Sequence, residues 1–133
     1  MGAVAYIDSS ALLKLVVRED ETSALEADLA ARDGLVTSRL ALLECRRAAR
    51  RLPHRRLLQT VDAVFEAVYL LEITPSILDA AGALNPLHLR SLDAIHVATA
   101  MSVGDPNLDV LTYDGRCADA ARASGLTVVQ PGR

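Results

Sequence analysis

The chain has 133 residues, 51% of them apolar but only 3% aromatic, no tryptophan, and a formal net charge of −3. That length suits one domain, residues 1–133, built on a single core of Leu, Val, Ile and Ala. No apolar run approaches the length of a membrane span and no signal peptide is evident, so a soluble, cytoplasmic protein without membrane contact is expected. Cys45 and Cys117 are too few and too far apart for a zinc site or a disulfide framework and read as two buried thiols.

Val4 to Ile7 is an apolar run with the character of a strand buried on both faces, and it ends on Asp8. Ala11, Leu12, Leu15 and Val16 then recur at helical spacing, which predicts a helix capped by Ser9 or Ser10 and running to about Val17. A second helix is expected from Thr22 or Ser23 to about Arg32, and a strand over Leu35–Thr37. Ser38 suits the cap of a helix from Arg39 to Arg51 that carries Glu44 near its middle. Pro53 suits the first turn of a fourth helix through Leu57, Val61, Val64, Phe65 and Val68. A strand at Leu70–Ile73, a helix over Ser76–Leu84 and a helix from about Leu92 to Val103 capped by Ser91 follow. Asp109–Thr112 reads as a strand, Asp114-Gly115 leads into a helix ending at Gly125, and Leu126–Val129 reads as the last strand. Strands alternating with helices predict an α/β domain with a mainly parallel sheet.

Four carboxylates stand where the apolar pattern does not explain them. Asp8 and Asp114 follow strands whose ends meet if the strands are sheet neighbours, Asp93 lies in the first turn of a helix, and Glu44 sits beside Leu42, Leu43 and Cys45. Singly, each has an ordinary reading as a helix cap, a dipole partner or a solvated helix edge. Together they repel one another and call for a cation. Carboxylate oxygens without a Cys or His cluster suit Mg²⁺ or Mn²⁺ rather than zinc, and such an ion suits phosphodiester hydrolysis. The seven glycines match neither a dinucleotide-binding fingerprint nor a Walker motif, which disfavours nucleotide-dependent chemistry.

Tyr6-Ile7-Asp8-Ser9-Ser10-Ala11-Leu12-Leu13-Lys14-Leu15, Ser38-x-x-Ala41-x-x-Glu44, Leu89 to His96 and Thr112-Tyr113-Asp114-x-Arg116 resemble the PIN-domain ribonucleases, specifically VapC-type toxins. The resemblance spans nearly the whole chain. It implies a PIN-like three-layer α/β domain with a central, mainly parallel five-stranded sheet, a homodimer, metal-dependent endonucleolytic cleavage of RNA, and a cognate antitoxin that blocks the site. It also implies a catalytic set of Asp8, Glu44, Asp93 and Asp114. In it Asp8, Asp93 and Asp114 ligate Mg²⁺ or Mn²⁺, while Glu44 holds a second ion or orients the attacking water. The alternative is a catalytically silent module of the same fold that binds RNA or protein. A phosphatase with Asp8 as nucleophile is disfavoured, because Ser10 stands where a second acid is usual.

Ser9 and Thr112 are candidates for binding substrate phosphate or for holding the carboxylates, and Arg116 for contacting phosphate or pairing with an acid. His96, one helical turn beyond Asp93, reads as a satisfied core or boundary histidine more readily than as a base. Arg46, Arg47, Arg50, Arg51, Arg55 and Arg56, with His54, form the one strongly basic segment, with Arg46 and Arg50 the candidate RNA contacts. An acidic antitoxin tail suits the same surface.

Overall fold

Successive side chains of strand β1 (Val4–Ile7) enter different cores, Ala5 and Ile7 on one face and Tyr6 on the other, and all three are fully buried. This is the two-sided burial that a continuous apolar strand demands. The structure, a computed structural model, describes residues 3–133. Met1 and Gly2, which the single-domain expectation includes, lie outside the described residues.

Strands β2 (Gly34–Ser38), β3 (Tyr69–Leu71), β4 (Asp109–Leu111) and β5 (Thr127–Val129) join β1 in one parallel sheet of order β3-β2-β1-β4-β5. Tyr6 is in register with Val36 on one side and Val110 on the other. The chain first steps outward from β1 through β2 to β3, then returns to lay β4 on the opposite side of β1. The reversal makes the β1–β4 boundary a topological switch point, where parallel sheets open a crevice beyond the carboxyl ends of their strands.

Helices α1 (Ser9–Val16), α2 (Thr22–Ala30), α3 (Arg39–Arg50) and α4 (Leu57–Phe65) cover the Ala5/Ile7 face through Leu12, Leu25, Ala41, Cys45, Val61 and Phe65. Helices α6 (Ser91–Ser102) and α7 (Gly115–Ala123) cover the other through Val97, Ala100, Ala120 and Ala121, and α5 (Pro75–Gly82) packs on α6. Small residues on α6 and α7 let these helices approach closely. Gly125, at φ +85°, ends α7, and the Leu126 N–H returns to the Ala121 carbonyl at 3.0 Å. Among the described residues no helix is long and apolar enough to cross a membrane.

Four local expectations shift. Asp8, not Ser9 or Ser10, caps α1, because its carboxylate reaches the Ala11 N–H at 3.1 Å while the Ser10 hydroxyl is engaged elsewhere. Arg90, not Ser91, is the N-cap of α6, since its carbonyl accepts the Ala94 N–H at 2.9 Å. Helix α4 starts at Leu57 rather than Pro53, its first turn set by the Thr60 N–H on the Arg56 carbonyl. Strand β3 runs Tyr69–Leu71 rather than Leu70–Ile73. It pairs with β2 from Val36 to Ser38, where β2 turns into α3, so Glu72 and Ile73 have no strand left to pair with.

Candidate active site

Asp8 closes β1, and its N–H continues the ladder by donating to the Leu111 carbonyl of β4 at 3.1 Å. Its carboxylate is only 3% exposed. Oδ1 accepts the Ser10 hydroxyl at 2.6 Å and the Ala11 N–H, and Oδ2 accepts the Thr112 hydroxyl at 2.5 Å. Burial raises the Asp8 pKa above its ordinary value although these donors favour the ionised form. Thr112 is itself fully buried, and its hydroxyl oxygen accepts the Asp114 N–H at 3.1 Å. One side chain therefore ties the acids that follow β1 and β4.

Asp114 also caps α7, accepting the N–H groups of Arg116 at 2.9 Å and Cys117 at 3.4 Å. Asp93 enters from the first turn of half-buried α6 without capping it. Burial raises the Asp93 pKa most, and repulsion from Asp114, Asp8 and Glu44 adds to it. That repulsion places Asp8, Asp114 and Glu44 within electrostatic reach of Asp93. Among the described residues no lysine or arginine forms an ion pair with Asp8, Asp93 or Asp114.

Glu44 reaches the same edge from α3. Its Oε1 lies 2.6 Å from His96 Nε2, and His96 Nδ1 lies 2.7 Å from the Tyr6 hydroxyl. His96 is 3% exposed with both ring nitrogens engaged, a satisfied histidine that nonetheless touches one of the candidate acids.

The other candidates are more scattered. The Ser9 carbonyl lies 3.9 Å from Cys45 Sγ, and it is Ser10 that binds Asp8. Arg116 and Arg50 are exposed, and Arg46 pairs with Asp62 at 3.0 Å. Leu43, Arg46, Arg47, Arg50, Leu58 and Asp62 line an apolar-floored groove between α3 and α4. Sequence reasoning missed Ser10 and Tyr6 as partners of the site. The two-residue step from Asp8 to Ser10 at a strand–helix junction is a local signal that points to the first. Tyr6 carries no such signal.

The sequence matches the PIN domain family over residues 5–123. This chain belongs to the PIN-domain family, among the VapC ribonucleases. Ribonuclease VapC46 of Mycobacterium tuberculosis (strain ATCC 25618 / H37Rv) is 42% identical over 135 residues, covering 97% of this PIN domain chain and 98% of the relative. Of solved structures, Mycobacterium tuberculosis VapC20, described as a sarcin–ricin loop cleaving toxin, aligns with TM-score 0.75 at 18% identity, covering 96% of this chain and 99% of that one. VapBC2 from Rickettsia felis, bound to a DNA fragment from its promoter, aligns with TM-score 0.74 at 12% identity, covering 96% and 98%. At these identities the structures speak for the PIN fold.

The donors at the acidic edge are carboxylate and hydroxyl oxygens. Cys45 and Cys117 are buried, burial pushes the Cys45 thiol up to about 12 and the Cys117 thiol also upward, and His96 has no free nitrogen. That set fits a hard cation better than a zinc site built on Cys and His. Among the described residues no three His, Cys, Asp or Glu side chains are arranged as a ready cage. Mg²⁺ rarely uses one, since it keeps several waters and takes one or two carboxylates together with substrate phosphates.

Proposed function

We propose that this PIN domain is a Mg²⁺- or Mn²⁺-dependent endoribonuclease, the toxin of a toxin–antitoxin pair. The observation that carries the reading is the meeting of Asp8, Asp93 and Asp114 at the β1–β4 switch point, where among the described residues no lysine or arginine pairs with them. The ribonuclease names of its relatives support the same activity. Asp8, Asp93 and Asp114 would hold the ion, and Glu44 would orient the attacking water. The bound ion would polarise the scissile phosphate and lower the pKa of water beside it. Ser10 and Thr112 hold Asp8 in one rotamer, so the carboxylate needs little reorganisation to act.

Exposed Arg47, Arg50 and Arg51, following Glu44 along α3, supply positive charge for an RNA backbone. Ser9 and Arg116 flank the acids as further candidates for phosphate contact. The groove of Leu43, Leu58 and the arginines suits an antitoxin segment with apolar and acidic side chains, in keeping with the toxin–antitoxin complexes that share the fold. Exposed Leu78, Leu87, Leu92 and Met101 on the α5–α6 side support a homodimer. A soluble cytoplasmic setting accords with such an activity.

The test is cleavage of total cellular RNA by purified protein with Mn²⁺, with Mg²⁺ and with chelator, beside Asp93→Asn. Discrete fragments that need both the metal and Asp93 are expected. The rival reading is a catalytically silent module of the same fold that binds RNA or protein. RNA binding without metal and without cutting would establish that rival.

A further inference from the structure

Helix α6 carries His96 into the interior beside Tyr6 of β1, on the face opposite α3, yet the imidazole reaches Glu44 of α3 across the end of the sheet. Three groups from three elements thus form one chain: Tyr6 hydroxyl, His96 ring, Glu44 carboxylate. The two links measure 2.7 and 2.6 Å. The rings of Tyr6 and His96 meet edge to face, at 74° and 5.9 Å between centroids.

The heavy-atom distances leave the hydrogens unassigned, and hydrogen counting supplies one direction that satisfies every partner of a neutral ring. The Tyr6 oxygen already accepts the Ser38 N–H at 3.2 Å, so its own hydrogen is free to go to His96 Nδ1. A ring whose Nδ1 accepts carries its hydrogen on Nε2, which then donates to Glu44 Oε1. Glu44 is the only member with substantial exposure, 25% of its side chain, so the chain runs from a closed interior to the candidate site. A histidine needed only to fill the core would face apolar groups, not a partly solvated carboxylate.

We propose that His96 is a positioning residue for RNA cleavage, its Nε2–H aiming the Glu44 carboxylate and its tautomer held by Tyr6. The inference rests on Glu44 serving the nuclease site proposed above. Ser38, the N-cap of α3, contributes through its N–H, so the element that carries Glu44 also fixes the hydroxyl that orients the histidine. The logic is that of outer-shell partners which lock a functional side chain in one orientation.

His96→Gln and His96→Asn divide the relay. The glutamine amide nitrogen falls near the position of Nε2 and can still donate to Glu44, whereas asparagine reaches only the Nδ1 position facing Tyr6. A staple that merely joined α3 to α6 would suffer from both changes in the same way. With total bacterial RNA and Mn²⁺ under single-turnover conditions, His96→Asn is expected to lower the saturated cleavage rate by about 10–100-fold with the half-saturating protein concentration unchanged. His96→Gln is expected to keep most of the rate. In a Glu44→Gln background His96→Asn should cost nothing further, because it acts through Glu44.

Equal losses in the Asn and Gln variants, or additive loss in the Glu44→Gln background, would overturn the proposal. If Asp93→Asn is inactive while His96→Asn cuts at the parent rate, this inference alone fails. If Asp93→Asn cuts like the parent, the nuclease reading fails and takes the inference with it. Long-range ¹H–¹⁵N spectra of the unsubstituted protein check the tautomer independently of activity. Hydrogen on Nε2 with a bare Nδ1 is expected, changing in Tyr6→Phe, and a hydrogen on Nδ1, alone or in a doubly protonated ring, would refute the relay.

Discussion

Thr112 donates to Asp8 across 2.5 Å and at the same time accepts the Asp114 N–H at 3.1 Å, so one buried hydroxyl sets the spacing of two acids that lie 106 residues apart in sequence. Valine at position 112 keeps the shape and removes both bonds. Thr112→Val should lose about 1–3 kcal/mol in urea unfolding, the cost of leaving buried polar groups unpaired. It should also lower RNA cleavage, and Thr112→Ser should restore most of both.

Asp93 is expected to oppose stability in the absence of metal. Its pKa in the fold lies above the ordinary 3.8, chiefly through burial and then through Asp114. The stability linked to this group is therefore complete below about pH 3.8 and falls away as pH rises through the folded-state value. At pH 7 in chelator Asp93→Asn should melt above the parent, with the gap closing towards pH 3.8 in scanning calorimetry. Added Mn²⁺ should raise the parent's melting temperature more than the variant's.

Glu21 carries the opposite linkage. Bonds from Arg133 at 2.8 Å and buried Lys14 at 3.0 Å lower its pKa from 4.5 to about 2. Its contribution is present above pH 4.5 and is lost as pH falls through about 2. Glu21→Gln should melt below the parent at neutral pH, and the difference should shrink progressively between pH 4.5 and 2.

Arg50 should act on RNA through charge alone. With Asp93→Asn and chelator to prevent cutting, Arg50→Ala should weaken RNA binding irrespective of sequence. It should also reduce the slope of log K against log salt by about 0.7, the value for one phosphate contact on a single strand. An unchanged slope would place the RNA elsewhere.

Both thiols should be silent in the native protein. Cys45 and Cys117 are buried and their pKa values are pushed upward, Cys45 to about 12, so neither offers thiolate at pH 8. A thiol-exchange reagent should react slowly with the native protein and rapidly with both cysteines in guanidinium.

Much of this architecture was legible from periodicity alone. The change from the apolar run at Val4–Ile7 to helical spacing after Asp8 marks a strand and a helix whose bounds agree closely with β1 and α1. The errors fall where tertiary partners decide. The extent of β3 depends on where β2 stops, and the cap of α1 depends on Thr112 and Tyr113 engaging Ser10 instead. At the site, the acids stand out because charge in an apolar setting is visible in one dimension. The Tyr6–His96 contact spans 90 residues, and a tyrosine inside an apolar strand reads simply as core.

Asp8 and Asp114 each begin a helix with the same carboxylate that faces the acidic edge, whereas Asp93 caps nothing. On the proposed function, loss of either of the first two should disturb folding as well as chemistry, and loss of Asp93 should remove chemistry without weakening the fold. A population selected to survive this protein while still producing it in intact form should therefore accumulate substitutions at Asp93. On that reading, the residue under the strongest constraint for harm is the one the architecture can most easily spare.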